Sequence, residues 1–171
     1  HLNKVIMTTL NNLNINDVYY TPKYIWEDIL HYLDPLKLYL DPFWGDGSSI
    51  NNLNELGLNC IGVNIDYFDA LRNLDYDIII TNSPFSKHIL TEFLYNLSAL
   101  DKPFVIILPI TKIFSKYFRT AFRQFRSIQL IIPSKRMSFI DPTSSNNKSN
   151  PSFCTCYVCY KVDLPSDIIF L

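Results

Sequence analysis

Two short motifs, each placed directly after an apolar run, constrain the fold of this 171-residue chain more than any other feature. The first is Asp-Pro-Phe-Trp-Gly-Asp-Gly at residues 41–47, and the second is Asn-Ser-Pro-Phe at residues 82–85. An apolar run that ends in polar residues is typical of a buried β-strand followed by a loop. Because open α/β sheets bind their ligands at the carboxyl ends of strands, the two motifs predict one shared binding site.

Apolar segments along the chain alternate between helical and strand-like spacing. Helical spacing covers residues 24–33, 49–56, 89–100 and 113–125, and strand-like runs cover 37–40, 60–65, 77–80, 104–108, 128–132 and 153–162. Strands that alternate with helices predict a mostly parallel sheet. Strand runs without polar alternation predict that helices cover both faces of it. The expected fold class is therefore α/β.

The length of the chain allows one domain with a substantial core, and no internal repeat is visible. We expect an N-terminal extension over residues 1–16 and a single domain over residues 17–171. A polar segment bounded by prolines predicts a mobile loop over residues 141–152. This loop is either a tolerated surface insertion or a loop that becomes ordered on its substrate.

The composition bears on the class of protein. A hydrophobic content of 48% argues against disorder, and a net charge of -1 argues against binding nucleic acid through bulk charge alone. No run is long and apolar enough to span a membrane, and no signal segment opens the chain. We therefore expect an intracellular protein, cytoplasmic or nuclear, with no membrane partner. Abundant Asn and Ile are typical of an AT-rich genome, such as that of a virus.

Three cysteines near the end of the chain form a Cys-x-Cys-x-x-Cys pattern that would suit a metal site. In a β-strand, however, alternation places Cys154 and Cys156 on one face and Cys159 on the other. No histidine follows them. We expect no metal, and buried strand cysteines in a reducing compartment.

The glycines of the first motif suit a loop that approaches a ligand closely. Gly45 and Gly47 carry no β-carbon that would strike a bound nucleoside. Asp66, nineteen residues after Gly47, is expected to end the second strand, where a carboxylate can accept hydrogen bonds from both ribose hydroxyls of a cofactor. The loop lacks a third glycine and a downstream Lys-Ser/Thr, which disfavours binding of pyrophosphate or triphosphate. A nucleotide-binding oxidoreductase is disfavoured for the same reason.

Over about residues 17–162, these motifs resemble those of the S-adenosylmethionine-dependent amino-methyltransferases that modify adenine N6. That family has a motif of the form Asp-Pro-Phe-x-Gly-x-Gly, a Thr-Pro motif upstream and an Asn/Asp/Ser-Pro-Pro-aromatic tetrad downstream. The resemblance implies a Rossmann-like class I methyltransferase fold and S-adenosylmethionine as cofactor. The implied cofactor-binding residues are Tyr20, Thr21, Pro22, Asp41, Pro42, Phe43, Gly45, Gly47 and Asp66.

The same resemblance implies a role for each part of the cofactor site. Residues 20–22 would flank the methionine end of the cofactor, Asp41 would lie near its amino group, and Asp66 would bind its ribose. Thr21-Pro22 also suits a helix N-cap followed by proline in the first turn, and both roles are compatible.

One departure from the family concerns the adenine of the cofactor. The family places an acidic residue for it after a third strand, whereas only fifteen residues separate Asp66 from Asn82. Either Asp69 or Asp75 serves instead, or that strand is shortened.

The second motif supplies the implied catalytic residues Asn82, Ser83, Pro84 and Phe85. An exocyclic adenine amine is a poor nucleophile because its lone pair is delocalised into the ring. The side-chain oxygen of Asn82 and the backbone carbonyl of Ser83 would accept its hydrogens and stabilise the charge that develops on attack. Pro84 would stiffen the turn, and Phe85 would offer a face on which an extruded base stacks.

A series of basic residues predicts contacts with a phosphate backbone. On a helix over residues 113–125, spacings of three and four would place them on one face, although a solvated surface is the commoner explanation. Phe139 is a candidate stacking or wedge residue, or a core residue. The predicted nucleic-acid-binding residues are Lys112, Lys116, Arg119, Arg123, Arg126, Lys135, Arg136 and Phe139.

The sequence thus predicts N6-methylation of adenine in nucleic acid, with DNA favoured over RNA and a flipped or single-stranded base entering beside residues 82–85. No target-recognition domain is visible. Sequence specificity would come from the loops around 111–116 and 134–152 or from a partner, or it would be low. The partner would be a specificity subunit or another copy of the chain in an oligomer. The alternative is a catalytically weak or inactive methyltransferase-like subunit that binds nucleic acid and supports an active partner. Serine at position 83, where the family has proline, favours this alternative.

Overall fold

The structure, a computed structural model, describes residues 19–125, 127–142 and 151–171. The predicted extension at 1–16, most of the predicted loop at 141–152 and Arg126 lie outside the described residues. The strands are β1 (Leu38–Leu40), β2 (Asn59–Ile61), β3 (Ile78–Asn82), β4 (Phe104–Pro109), β5 (Ile128–Ile132), β6 (Thr155–Tyr160) and β7 (Ile168–Phe170). The helices are α1 (Lys23–Glu27), a 3₁₀ helix (Leu30–Tyr32), α2 (Ser48–Glu55), α3 (Tyr67–Asn73), α4 (Lys87–Leu100), α5 (Ile110–Ile113) and α6 (Lys116–Ala121).

These seven strands form one sheet in the order β2-β1-β3-β4-β6-β5-β7. The first four are parallel to one another, with Leu40 opposite Ile79 and Asn82 opposite Ile107. Strand β6 is antiparallel to both β4 and β5, and β7 is parallel to β5. The predicted α/β fold with a mostly parallel sheet is confirmed. In the part of the chain that the structure describes, β6 is the reversed strand.

Two hydrophobic clusters show that helices cover both faces of the sheet, as predicted. On one face, α1 and α2 bury Trp26 and Leu53 against side chains such as Ile80. On the other face, α4 and α6 bury Phe93 and Phe118. Neighbouring strand residues alternate between the two clusters, so each buried strand contributes apolar side chains to both cores.

A serine cap interrupts the helix that the sequence predicts over residues 113–125. Helix α5 ends at Ile113, and the Ser115 hydroxyl accepts a hydrogen bond from the Phe118 N–H at 3.2 Å, which starts α6 afresh. Helix α6 ends at Ala121. The prediction of one continuous basic helix is therefore wrong, and the basic residues are divided between two short helices and the turn that follows.

Other differences concern the ends and number of strands. Strand β2 ends at Ile61, and the chain then passes Gly62, which packs closely on Asp41 and Ile50, and enters α3, whose N-cap is Asp66. The sequence does not predict β7, since a three-residue strand with two exposed positions leaves too short an apolar pattern. Residues 62–77 contain α3 and no strand, so the strand that the family places there is absent rather than shortened.

The two cysteines within β6 lie as their spacing predicts, whereas the one that precedes β6 does not. Cys156 and Cys159 belong to the cores on opposite faces, and burial raises the pKa of each thiol to about 12. Cys154 precedes the strand and is exposed, so its predicted burial beside Cys156 is wrong. Among the described residues, no group of three His, Cys, Asp or Glu side chains is placed to hold a metal ion. In the same ranges, no helix combines the length and apolar character needed to cross a bilayer.

Close packing at Gly62 makes a prediction about stability. A Cβ at this position would lie 2.9 Å from the Asp41 carbonyl oxygen and 2.3 Å from Ile50 Cδ1. Because Asp41 directly follows β1 and its N–H is hydrogen-bonded to the Ile61 carbonyl, its backbone has little room to shift, and Gly62→Ala should destabilise the protein by about 1–3 kcal/mol, as overpacking does. Urea unfolding measures this change. Asn64→Ala, at an exposed position in the same loop, is the control, and equal stability of the two variants would contradict the packing at Gly62.

Candidate active site

A cavity lies at the carboxyl ends of β1 and β3, where the two predicted motifs meet. Three segments form its walls: the residues that precede α1, the loop after β1 together with the first two residues of α2, and the last residue of β3. The cavity is lined by Tyr19, Tyr20, Thr21, Asp41, Phe43, Trp44, Gly45, Asp46, Ser48, Ser49 and Asn82. Residues of both motifs thus meet at one cavity, as the sequence predicts, and ligand binding in it remains a prediction.

Asp41 is the buried acidic group of the cavity, with 2% of the residue exposed. Its Oδ1 accepts hydrogen bonds from the Thr81 hydroxyl at 2.6 Å and from the Phe43 N–H at 3.1 Å. The Ser49 hydroxyl also bonds the carboxylate, and Ser49 in turn accepts a bond from Trp26 Nε1 at 3.1 Å. Groups from β3, the loop and α2 thus fix one orientation of the Asp41 side chain.

Burial raises the pKa of Asp41 to about 7, because loss of solvation penalises the charged form more than its hydrogen bonds stabilise it. Both protonation states are therefore populated near neutral pH. A cation placed against the carboxylate would favour the charged form. The geometry suits recognition of a small cationic group, such as a primary ammonium.

Asn82 brings a hydrogen-bond acceptor to the same cavity. Its Nδ2 donates to the Tyr19 carbonyl at 3.3 Å, which assigns the amide nitrogen to that side. Its Oδ1 is buried and has no hydrogen-bond partner within the described residues. An unpaired buried acceptor costs stability, so the Oδ1 of Asn82 is suited to a donor that arrives with a ligand.

The two residues that follow Asn82 are enclosed by the protein. Ser83 is buried, and its hydroxyl has no partner in the described part of the chain. Pro84 is buried as well. The predicted stiff turn after β3 is therefore packed into the domain, with Asn82 as its cavity-lining member.

Phe85 does not present an open aromatic face. It is 7% exposed, and its ring packs against those of Tyr19, Phe139 and Phe153 at centroid distances of 6.2, 6.3 and 5.3 Å. Phe139 is 1% exposed, so it is a core residue and not the stacking or wedge residue considered from the sequence. The aromatic side chain that lies between Phe85 and the cavity is Tyr19.

The glycines of the loop accommodate side chains of the protein itself. Gly45 and Gly47 have φ values of 57° and 81°, which favour glycine over other residues. A Cβ at Gly47 would lie 3.2 Å from Trp44 Cζ2, and one at Gly45 would lie 3.5 Å from the Tyr20 ring. The two glycines thus allow Trp44 and Tyr20 to pack closely, a role that differs from the predicted clearance for a nucleoside.

Five lining residues escape the sequence analysis. Trp44 and Asp46 lie at the variable positions of the first motif, so a motif match gives them no weight. The sequence could have indicated them only through their position, since each is next to a residue that the motif predicts to bind the cofactor. The residues missed are Tyr19, Trp44, Asp46, Ser48 and Ser49.

Several selected residues lie outside the lining. Asp66 is exposed at the N-cap of α3, where its Oδ1 accepts a bond from the Phe68 N–H at 2.9 Å. The prediction that it ends β2 is wrong, and its ribose role remains a prediction. Pro22, not Thr21, occupies the N-cap position of α1. Asp69 and Asp75 are exposed and do not line the cavity.

The predicted basic residues also lie outside the cavity lining. Lys112 belongs to α5, Lys116 and Arg119 to α6, and Arg123 to the turn that follows. Lys135 is exposed beyond the end of β5. The structure thus spreads these charges over the surface after β4 instead of aligning them on one helix.

Arg136 differs from the other basic residues because its guanidinium has partners. It donates hydrogen bonds to the carbonyl oxygens of Pro151 and Phe153. This side chain therefore connects the segment after β5 to the segment before β6. Its predicted contact with nucleic acid would compete with that structural role.

Comparisons with known proteins identify the fold. No protein-family model matches the chain, and no curated protein matches it. A solved structure described as a class I S-adenosylmethionine-dependent methyltransferase from Listeria monocytogenes matches with a TM-score of 0.54 and 11% identity, over 99% of this chain and 70% of that one. A structure described as an RNA methyltransferase from Pyrococcus horikoshii gives a TM-score of 0.47 and 14% identity, over 91% of this chain and 94% of that one. The first similarity shows that this chain has the class I methyltransferase fold.

The raised pKa of Asp41 predicts a pH-dependent stability. Between its unfolded value of 3.8 and its folded value of about 7, the folded protein holds a proton that the unfolded chain has lost. Stability should therefore fall as pH rises through this window. Asp41→Asn retains an oxygen acceptor and has no carboxyl to titrate. From about pH 5 to about pH 7.5, the wild type should lose on the order of 2–3 kcal/mol relative to this variant in urea unfolding. Parallel pH profiles of the two proteins would contradict the raised pKa.

Proposed function

We propose that this protein is an S-adenosylmethionine-dependent methyltransferase that modifies N6 of adenine in nucleic acid, with DNA favoured over RNA. The observation that carries the proposal is the buried, unpartnered Oδ1 of Asn82 in the cavity that also contains Asp41. A buried carboxyl group, that of Asp41, and an acceptor without a hydrogen-bond partner in the described residues lie together at the carboxyl edge of a sheet with the class I methyltransferase fold. A methyl donor with an ammonium group and an amine acceptor would satisfy both.

The residues of the cavity suit the methionine end of the cofactor. Asp41 would hold its ammonium group, with the carboxylate fixed by Thr81 and the Phe43 N–H. Trp44 and Tyr20 would enclose it from the loop side. When bound, the cofactor supplies a methyl group activated by attachment to a positively charged sulfur.

Asn82 would act on the acceptor amine. Its Nδ2 is held by the Tyr19 carbonyl, so its Oδ1 can accept one hydrogen of an exocyclic amine without reorienting. The Ser83 carbonyl would accept the second hydrogen, as the motif implies. Two acceptors would draw the nitrogen toward a tetrahedral shape and stabilise the positive charge that develops as it attacks the methyl carbon. Holding the amine in line with the methyl group would supply the remaining acceleration through proximity.

Exposed cations support nucleic acid as the substrate. Lys116, Arg119 and Arg123 are exposed, and no ion pair within the described residues involves them. Unpaired surface cations are free to contact phosphates and to release counterions. These charges serve DNA and RNA alike, so the preference for DNA is left to the experiment.

A second candidate function has support from the tetrad. Phe85 is closed off by Tyr19, Phe139 and Phe153, and Ser83 replaces the proline of the related enzymes. A site in which the base has no open ring to stack on would suit a weak or inactive subunit that binds nucleic acid beside an active partner.

Transfer of a labelled methyl group tests the proposal. Wild-type protein with isotope-labelled S-adenosylmethionine should label adenine N6 in a DNA or RNA pool, and nucleoside mass spectrometry identifies the product. Asn82→Ala should lower transfer by at least about 100-fold, the usual cost of removing one such group. Cofactor affinity should remain nearly unchanged.

The matched control is Asn51→Ala, on the exposed side of α2 and outside the cavity. Full activity of Asn82→Ala would remove Asn82 from the reaction. No label in any polymer, with folded protein, would favour the inactive subunit.

Charge reversal tests the nucleic-acid partner. Arg119→Glu with Arg123→Glu should weaken oligonucleotide binding and lower the slope of log affinity against log salt by about 2, because two phosphate contacts are lost. The control reverses the exposed lysines Lys37 and Lys87. An unchanged slope in the arginine variant would mean that these two arginines are solvated surface residues that do not contact phosphates.

A further inference from the structure

The charges of this chain are segregated along its sequence. Residues 102–140 contain eight of its 15 Lys and Arg residues and none of its 16 Asp and Glu residues. The net charge of -1 therefore conceals a basic segment set against an acidic remainder. Such a segment can attract a polyanion even though the whole chain is nearly neutral.

Phe114 is the exposed aromatic residue of this basic segment. It is 76% exposed, whereas Phe118 and Phe122 nearby are buried in the core under the sheet. It lies between Lys112 and Lys116, with one residue separating it from each. The exposed ring and the two flanking cations are the groups that a ligand with both an aromatic face and negative charge would contact.

The turn that carries Phe114 is held by local hydrogen bonds. The N–H and the hydroxyl of Ser115 both donate to the Lys112 carbonyl, at 3.0 and 2.6 Å. The same hydroxyl oxygen accepts from the Phe118 N–H, and Phe118 is anchored in the core. Phe114 is therefore displayed on a defined turn, and a preorganised contact loses little freedom on binding.

This turn follows β4 at the sheet edge that carries the candidate active site. Strands β3 and β4 are parallel neighbours with Asn82 opposite Ile107, and β4 ends two residues later at Pro109. Helix α5 and then Phe114 come directly after. A strand of nucleic acid whose base enters beside Asn82 would leave the site along this edge.

We propose that Phe114 is a stacking platform for an unpaired base of the substrate strand, with Lys112 and Lys116 contacting the neighbouring phosphates. The inference rests on the proposed function, because it assigns a second contact to the same substrate. An aromatic ring set among cations is the combination by which proteins bind single-stranded nucleic acid. In the described part of residues 102–140, the exposed large hydrophobic residues are Phe114, at 76%, and Ile140, at 36%, whereas a protein-docking surface needs a contiguous apolar patch.

The test compares Phe114→Ala with Phe170→Ala. Phe170 is 77% exposed on β7, the edge strand at the far end of the sheet order, so it matches Phe114 in residue type and exposure. Fluorescence anisotropy measures the affinity of the full chain for adenine-containing single-stranded DNA, single-stranded RNA and a blunt DNA duplex. Circular dichroism confirms that each variant is folded.

Phe114→Ala should weaken binding of the single strands by about 5- to 100-fold, the range for loss of one stacked base. Binding of the duplex should change little. The salt slope should stay constant, because no charge is altered. Phe114→Trp should retain the affinity, since tryptophan also stacks, and Phe170→Ala should bind as the wild type does. If Phe114→Ala loses affinity only for single-stranded DNA, or only for single-stranded RNA, that result identifies the polymer that Phe114 contacts.

Equal affinities of Phe114→Ala and Phe170→Ala would overturn the inference. An equal loss of affinity for the duplex and for the single strands would also overturn the inference, because it would mean that Phe114 does not stack on an unpaired base. If the wild type transfers methyl groups and Phe114→Ala has the same KM for nucleic acid as the wild type, the stacking platform is rejected and the proposed function is retained. If the wild type binds no oligonucleotide, both the stacking platform and the proposed function are rejected. A partner protein that contacts Phe114 would then be the remaining candidate ligand.

Discussion

The hydrogen bond from the Thr81 hydroxyl to the Asp41 carboxylate, 2.6 Å long and fully buried, is the contact on which the rest of the site depends. It joins the residue that follows β1 to the residue that precedes Asn82 in β3. Because β1 and β3 are parallel neighbours, this one bond fixes the Asp41 carboxyl group and the Asn82 amide relative to each other. The Tyr19 carbonyl then orients the Asn82 amide, and Gly62 lies close enough to the Asp41 carbonyl that no larger residue fits. Close packing at Gly62 and the buried hydrogen bond between Thr81 and Asp41 thus position the two side chains on which the proposed reaction depends, Asp41 and Asn82.

Asp41 shows how the site exchanges stability for binding. Burial raises the pKa of the Asp41 carboxyl group to about 7. The folded protein is therefore less stable when this carboxyl group is ionised than when it is protonated. A ligand that brings an ammonium group would recover that free energy on binding. The buried, unpartnered Oδ1 of Asn82 has the same character, because its hydrogen bond would be completed only by a donor from outside the protein.

The sequence predicts the α/β fold, the alternation of strands and helices, and the meeting of residues 41–47 with Asn82, because all of these follow from periodicity and strand order. It does not predict that Phe85 and Phe139 are enclosed. Their burial depends on the antiparallel bridge between Tyr20 and Ile140, a contact between segments 120 residues apart. Asp66 fails as a strand end because its side chain competes for the N-cap of α3, and Ser115 breaks the basic helix in the same way. Local side-chain hydrogen bonds of this kind override a periodic pattern.

Calorimetric titration of S-adenosylmethionine into the wild type and Asp41→Asn, above the pKa of Asp41 at about pH 8, tests the central claim most directly. The variant retains the acceptor for Thr81 and Phe43 and removes the negative charge, so loss of affinity would report the charge and not the fold. We expect the wild type to bind and the variant to bind at least about tenfold more weakly, a difference of about 1.4 kcal/mol. Equal affinities, or a folded wild type that does not bind the cofactor, would contradict the assignment of this cavity as the cofactor site.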